Sequence, residues 1–250
     1  MENKTSLSEE KVYFLAVLIR LKTYFCFSII KHTLHMSGFI VLLIIGACTA
    51  VSIKGFNDKS FKRKYMLNVG NIATRGEYYR LFTCGFLHAD WPLLIFNMLT
   101  LYFFYSTPYM VLGGAAFLFI YMGGLVFASW YSFMVHHKDY YYSALGASGA
   151  VSAVLFSAVM LNPTMKMIIF PIPLPLPGWI FAIAYIVFST FGMHNANTRI
   201  GHSAHLGGAV IGIIITLILR PFMIWENPVL IGGLTLLSVL LLLTELKRSR

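Results

Sequence analysis

The stretch Trp91–His137, WPLLIFNMLTLYFFYSTPYMVLGGAAFLFIYMGGLVFASWYSFMVHH, runs for 47 residues without an Asp, Glu, Lys or Arg. One pass through a bilayer needs about 20 apolar residues, so this run alone holds two passes. Five more runs free of those charges occupy residues 32–53, 140–165, 167–198, 200–219 and 227–244. Across 250 residues, 19 are Lys or Arg and 9 are Asp or Glu, 11% in all, and 58% are hydrophobic. Mean hydropathy is +0.75. A soluble domain carries roughly a quarter charged residues. These values exclude a soluble globular enzyme, a disordered chain and a disulfide scaffold, and leave a polytopic membrane protein. The net charge of +10 does not argue for nucleic acid, because the basic residues lie between the apolar runs, as juxtamembrane charges do.

Working outward from that run, the turn between its two passes is expected at Ser106-Thr107-Pro108, since proline disfavours helix at the residue before it. The second span is then 90–106 and the third 109–133. A first span covers 37–53, followed by a long polar connection over 54–80. A fourth runs from 145 to Leu161 and stops at Asn162-Pro163. Prolines at 171, 173, 175 and 177 exclude a helix there, and irregular backbone at membrane depth must lie against protein or water. The fifth span is 178–192 and the sixth 203–219, ending at Arg220-Pro221. Residues 228–244 are long enough for a short seventh. Val12–Ile19 is too short to span and reads as an interfacial helix. Three parts follow: an N-terminal cytoplasmic or interfacial segment over 1–36, a six-span core over 37–220, and a C-terminal extension over 221–250. With the N-terminus inside, six spans place ten basic residues inside and nine outside, and seven spans place seven against twelve. Charge counting therefore does not set the orientation.

Spans alternate in direction, so the starts of spans two, four and six share one membrane side. Those starts hold His88, Asp90 and Asn97, then Gly146-Ala147-Ser148-Gly149, then His202-Ser203-Ala204-His205. Polar residues inside spans are costly in lipid and mark function by default. A serine hydroxyl needs a base within about 2.6–3.2 Å to act as a nucleophile, and histidine has the pKa for that task. Such closeness between helices needs small residues, which Gly149, Gly207, Gly208 and Gly212 supply. Spans four and six contain no carboxylate to orient His205, so a Ser148–His205 dyad is the simpler proposal. Asn97 and the unpaired N–H groups at the start of span four, near Gly146 and Ser148, are candidate donors to an oxyanion.

These residues carry a family resemblance. The chain resembles the rhomboid intramembrane serine proteases over about 37–220. Gly146-Ala-Ser148-Gly149 resembles the nucleophile motif, Ala204-His205-Leu-Gly-Gly-Ala209 the catalytic-histidine motif, and Phe86-Leu-His88 through Phe96-Asn97-Met98 the segment with the oxyanion asparagine. Glu77-Tyr-Tyr-Arg80 is similar to the Trp-Arg element of the first loop, with Tyr79 in place of Trp. The resemblance implies an all-α polytopic membrane protein, a six-helix rhomboid-like transmembrane bundle to which 228–244 could add a seventh C-terminal span. It implies serine endopeptidase activity on transmembrane protein substrates in the lipid bilayer, with no cofactor, and the expected host is a bacterial inner membrane. Two positions depart from the family. A second histidine commonly stands four residues before the asparagine, where this chain has Leu93. An aromatic residue often stands four after the nucleophile and stacks on the histidine, where this chain has Ser152.

The departure at Leu93 motivates the rival reading, a rhomboid-like pseudoprotease that binds membrane proteins. A transporter or channel would call for charged or repeated elements at mid-membrane, and the sequence has neither. His88, His202 and His205 could in principle hold zinc, but His-Glu-x-x-His is absent and no metal site is expected. His136, His137 and Asp139 read as a solvated loop, Tyr140–Tyr142 as an interfacial belt, and Arg80 as a residue holding the first loop.

Overall fold

The computed structural model describes residues 37–169, 172–192 and 201–249. The interfacial helix expected at Val12–Ile19 lies outside the described residues. Contacts divide the chain into Met1–Ile40 and Val41–Arg250. Of the first unit only Ser37–Ile40 is described, as the opening turn of a helix, and the bundle belongs to the second.

The first long helix, α1, is Ser37–Asn57. The polar connection after it is structured. Helix α2 (Lys59–Tyr65) is capped by Asp58, whose carboxylate accepts from the N–H groups of Ser60 and Phe61. A two-residue strand β1 (Leu67–Asn68) leads to α3 (Val69–Arg75), and α4 (Arg80–Thr83) runs into a 3-10 turn at Cys84–Phe86. Buried Arg80 holds this connection together. It donates to Glu77 at 2.6 Å and to the carbonyls of Arg63 and Met66 at 2.8 Å each.

The 47-residue run divides differently from the expectation. Helix α5 is Trp91–Phe104, α6 is Ser106–Leu112 and α7 is Gly114–Val135. Pro108 lies in the first turn of α6, where no intrahelical N–H is needed. The chain turns instead at Gly113, whose φ of 89° suits glycine. Strand β2 (Ser143–Ala144) pairs antiparallel with β1. Helix α8 (Ser148–Leu161) then ends at Asn162-Pro163, as its sequence requires.

The proline-rich segment forms a ribbon of β3 (Lys166–Ile169) and β4 (Ile172–Pro177). The register pairs Met167 with Leu176 and Ile168 with Pro175. Gly178 N–H donates to Met165 C=O at 2.8 Å, so the backbone nitrogens of Pro175 and Pro177 are turned away from the partner strand, where a missing N–H breaks no ladder bond. The register shifts between Ile168 and Ile169. The bundle closes with α9 (Gly178–Gly192), α10 (His202–Leu219), a short α11 (Met223–Glu226) and α12 (Pro228–Ser249).

Helices α1, α7, α10 and α12 are each long and apolar enough to cross a membrane, while α8 and α9 are shorter apolar helices. Helix α8 is the centre, with every residue from Gly149 to Met160 buried. It packs on α7 and α10, which also pack on each other. Small residues set these contacts. A Cβ on Gly208 would lie 3.0 Å from the Cα of Gly149, and one on Gly212 would lie 2.6 Å from the Cα of Ala153. Backbones that touch in this way are how helices associate where lipid offers no hydrophobic drive. At 1.5 Å per residue, fourteen-residue α8 is about 21 Å long, shorter than a bilayer core of about 30 Å.

Candidate active site

Ser148 opens α8, and the loop before it is fastened at three points. Ala144 pairs with Leu67 between β2 and β1. Gly146 N–H donates to Cys84 C=O at 3.0 Å, and Ala147 N–H donates to His88 Nε2 at 3.4 Å. Gly146 has φ 127°, a conformation that L side chains rarely adopt. Its N–H is therefore engaged by Cys84, and the chemistry of position 146 here is conformational. The N–H of Ser148 has no backbone partner among the described residues, as expected for a first helical turn.

His205 lies one turn into α10, beside the same contact. The site where a Gly149 Cβ would stand is 3.4 Å from the carbonyl oxygen of Ala204, the residue before His205. Ser148 and His205 thus flank the touching backbones of α8 and α10 from neighbouring positions. Both are half-buried. No hydrogen bond joins them among the described residues. Asn97 is buried on α5, which packs on α8, and one Nδ2 hydrogen is engaged by Leu93 C=O at 2.9 Å. Leu93, at the position of the family's second histidine, presents its Cδ2 to Gly146, 3.6 Å from where a Cβ would stand. Asp90 is an N-cap, accepting from Leu93 N–H at 2.9 Å.

Two features were not legible in the sequence. Tyr185 of α9 stacks on His205, ring centroids 5.7 Å apart and planes 27° from parallel. Its hydroxyl is 2.6 Å from that of Ser152, which donates to Ser148 C=O at 2.7 Å. The period of α9 gives no hint of this, because a helix apolar nearly all round does not mark the face it turns inward. The second feature is His136, expected to be solvated. It stacks on Tyr142 at 3.7 Å, and its Nε2 is 3.3 Å from Ser203 Oγ, itself 2.9 Å from Ser132 Oγ. Burial lowers the His136 pKa, against a smaller opposing pull from Asp139. Tyr142 is thus part of this buried cluster, while Tyr141 is almost wholly exposed. His202, buried on α10, has neither ring nitrogen hydrogen-bonded and sits edge-on to Phe188 and His205. Among the described residues no group of three or more His, Cys, Asp or Glu side chains is placed to hold a metal ion.

A family profile described as Rhomboid domain matches residues 75–222. RHOMBOID-like protein 12, mitochondrial, of Arabidopsis thaliana is 28% identical over 193 residues, covering 69% of this chain and 55% of that protein. Rhomboid protein 1, mitochondrial, of Saccharomyces cerevisiae is 29% identical over 158 residues, covering 62% and 45%. YdcA of Bacillus subtilis is 29% identical over 161 residues, covering 61% and 70%. The chain spans about half the length of the first two. Two of the three names are mitochondrial, so these relatives lend no support to the expected bacterial inner membrane.

Proposed function

This chain belongs to the rhomboid family, and on that premise we propose that it is an intramembrane serine endopeptidase that cleaves transmembrane protein substrates with a Ser148–His205 dyad. One observation carries the reading. The helix that begins at Ser148 and the helix that carries His205 touch backbone to backbone at Gly149 and Gly208. Glycine on both sides of that contact is what a nucleophile and base on separate helices require.

In the proposed reaction Ser148 Oγ attacks the scissile carbonyl of a substrate helix unwound near the membrane surface, and His205 takes the hydroxyl proton. The oxyanion meets the N–H of Ser148 at the positive end of α8 and the second Nδ2 hydrogen of Asn97. His205 then gives its proton to the leaving amine. Water enters, loses a proton to His205 and hydrolyses the acyl-enzyme, returning the serine. Losing a single oxyanion donor costs about 3–4 kcal/mol of transition-state stabilisation in well-studied cases. Gly146 serves by its backbone angle, which turns the chain into α8, with its own N–H held by Cys84.

The contact of Leu93 with Gly146 favours a second reading. An apolar side chain there supplies no donor, and a rhomboid pseudoprotease that binds membrane proteins would tolerate it. A fluorophosphonate probe separates the two. Labelling of purified protein that disappears in Ser148→Ala, together with cleavage of single-span substrates, is the expected result. Labelling and cleavage both unaffected by Ser148→Ala would overturn the dyad, and their absence in the unaltered protein would favour the binder.

A further inference from the structure

We propose that Tyr185 is the positioning residue of the dyad, which makes α9 a working part of the catalytic unit. The proposal rests on the protease reading above. His205 needs a fixed ring plane to face Ser148, and no hydrogen bond links it to a carboxylate among the described residues. The usual aromatic position four after the nucleophile holds Ser152. The face of the imidazole is instead covered from a different helix, by Tyr185.

The polar end of the same side chain reaches the other half of the dyad. Ser152 has one hydroxyl hydrogen, which it donates to Ser148 C=O. At 2.6 Å the Tyr185 hydroxyl must therefore be the donor to Ser152 Oγ. One side chain of α9 thus stacks on the base and, through Ser152, is bonded to the backbone of the nucleophile. The ring is itself wedged by Phe156 of α8 at 5.6 Å and Phe181 of α9 at 5.8 Å. A second pair repeats the grip one turn on, where Phe188 meets His202 at 5.4 Å. Residues 185 and 188 on α9 therefore pair with 205 and 202 on α10, each set three apart on one helix face. A shift of α9 moves the imidazole and the nucleophile's first turn together.

The test compares Tyr185→Phe, Tyr185→Leu and Ser152→Ala with the unaltered protein. The readouts are the rate of Ser148-dependent fluorophosphonate labelling, kcat and KM on a single-span substrate, and the pH profile of labelling. Tyr185→Phe keeps the ring and stays within about threefold of the parent, whereas Tyr185→Leu lowers labelling and kcat about 10- to 100-fold, part of what a positioned base supplies. KM changes less than about twofold, and the limb of the pH profile belonging to His205 moves. Ser152→Ala, a small-to-small change that keeps the fold, lowers labelling about threefold by cutting the link to Ser148. Parent-like labelling, kcat and pH profile in Tyr185→Leu would overturn the proposal while leaving the dyad intact. A parent protein that does not label at Ser148 overturns the protease reading and this proposal together.

Discussion

His88 shows how a single side chain can be visible in the sequence while its task is not. It lies in the same polar layer as Ser148 and Asn97, yet its partners are 36 and 59 residues away, on α1 and in the loop before the nucleophile. Ser52 donates its hydroxyl hydrogen to Phe86 C=O at 3.1 Å. The His88 Nδ1–H must then donate to Ser52 Oγ at 2.9 Å, which leaves Nε2 as the acceptor for Ala147 N–H. Only a neutral ring satisfies this arrangement, because a proton on Nε2 would face the N–H of Ala147. The ring is fully enclosed, and burial pushes its pKa down to about 4, against a weaker opposing pull from Asp90. The folded value lies below the ordinary value of about 6.5, so the unfolded state binds more protons between those limits. The stability His88 confers is complete above about pH 6.5 and is lost as the pH falls towards 4. Thermal unfolding in detergent from pH 7.5 to 4 should show a steeper acid-side decline for the parent than for His88→Gln, which starts lower but does not titrate. Parallel curves would mean that His88 is not the group that titrates. The departures at Leu93 and Ser152 were equally plain in the sequence. Tyr185 was not, because stacking depends on the rotation of α9 about its own axis.

At the scale of elements, the stops are what the sequence encodes best. Asn162-Pro163 and Arg220-Pro221 end their helices where the chemistry of proline demands it, and the fifth and sixth spans fall on α9 and α10 almost residue for residue. The turn inside the 47-residue run was misplaced because proline is a strong stop inside a helix and a harmless residue in its first turn. Ser106-Thr107-Pro108 can be read either way until the break at Gly113 is seen. The alternating prolines likewise exclude helix without naming the ribbon, since the partner strand at Lys166–Ile169 carries no mark of its own. The glycines of α10 were legible as packing residues, and their distances now give the packing a measurable consequence. A methyl on Gly208 would strike the backbone of Gly149, which cannot rotate aside as a side chain could. Gly208→Ala should therefore spread α8 from α10, destabilising by about 1–3 kcal/mol or more and lowering Ser148 labelling with it. Gly232→Ala on α12 is the matched control, because a methyl there meets nothing within 4 Å and helix propensity favours alanine. Differential scanning of both variants in the same detergent gives the comparison. An unshifted melting temperature for Gly208→Ala would show that the two backbones do not touch.

Over the whole molecule, the count of passes decides which ends of the chain share a side with the site, and charge counting could not settle it. Helix α12 supplies the missing argument. Its 22 residues begin at Pro228, and Pro228–Lys247 is long and apolar enough to cross a membrane with most of its surface left uncovered. One stripe packs on α10, α9 and α7, burying Ile231, Leu234 and Leu242 and accepting the Tyr131 hydroxyl on Leu242 C=O at 3.1 Å. On other faces Val229, Leu236, Leu240 and Leu243 are exposed. An apolar surface of that extent is not compatible with water, and α12 is long and apolar enough to cross a membrane, so the expected outcome is that it adds a seventh pass to the six-span core. Seven passes would put the end of α12 on the side where α8 begins, together with the exposed loop at Tyr141, and opposite the turn at Thr164. Single cysteines at Tyr141, Thr164 and Lys247, in a chain whose native Cys26, Cys48 and Cys84 are replaced by alanine, can be probed with an impermeant maleimide on sealed vesicles. Positions 141 and 247 should react together or be protected together, and 164 should do the reverse. A cysteine at 247 that follows 164 would place both ends of α12 on one face, and the helix would then lie along the bilayer surface.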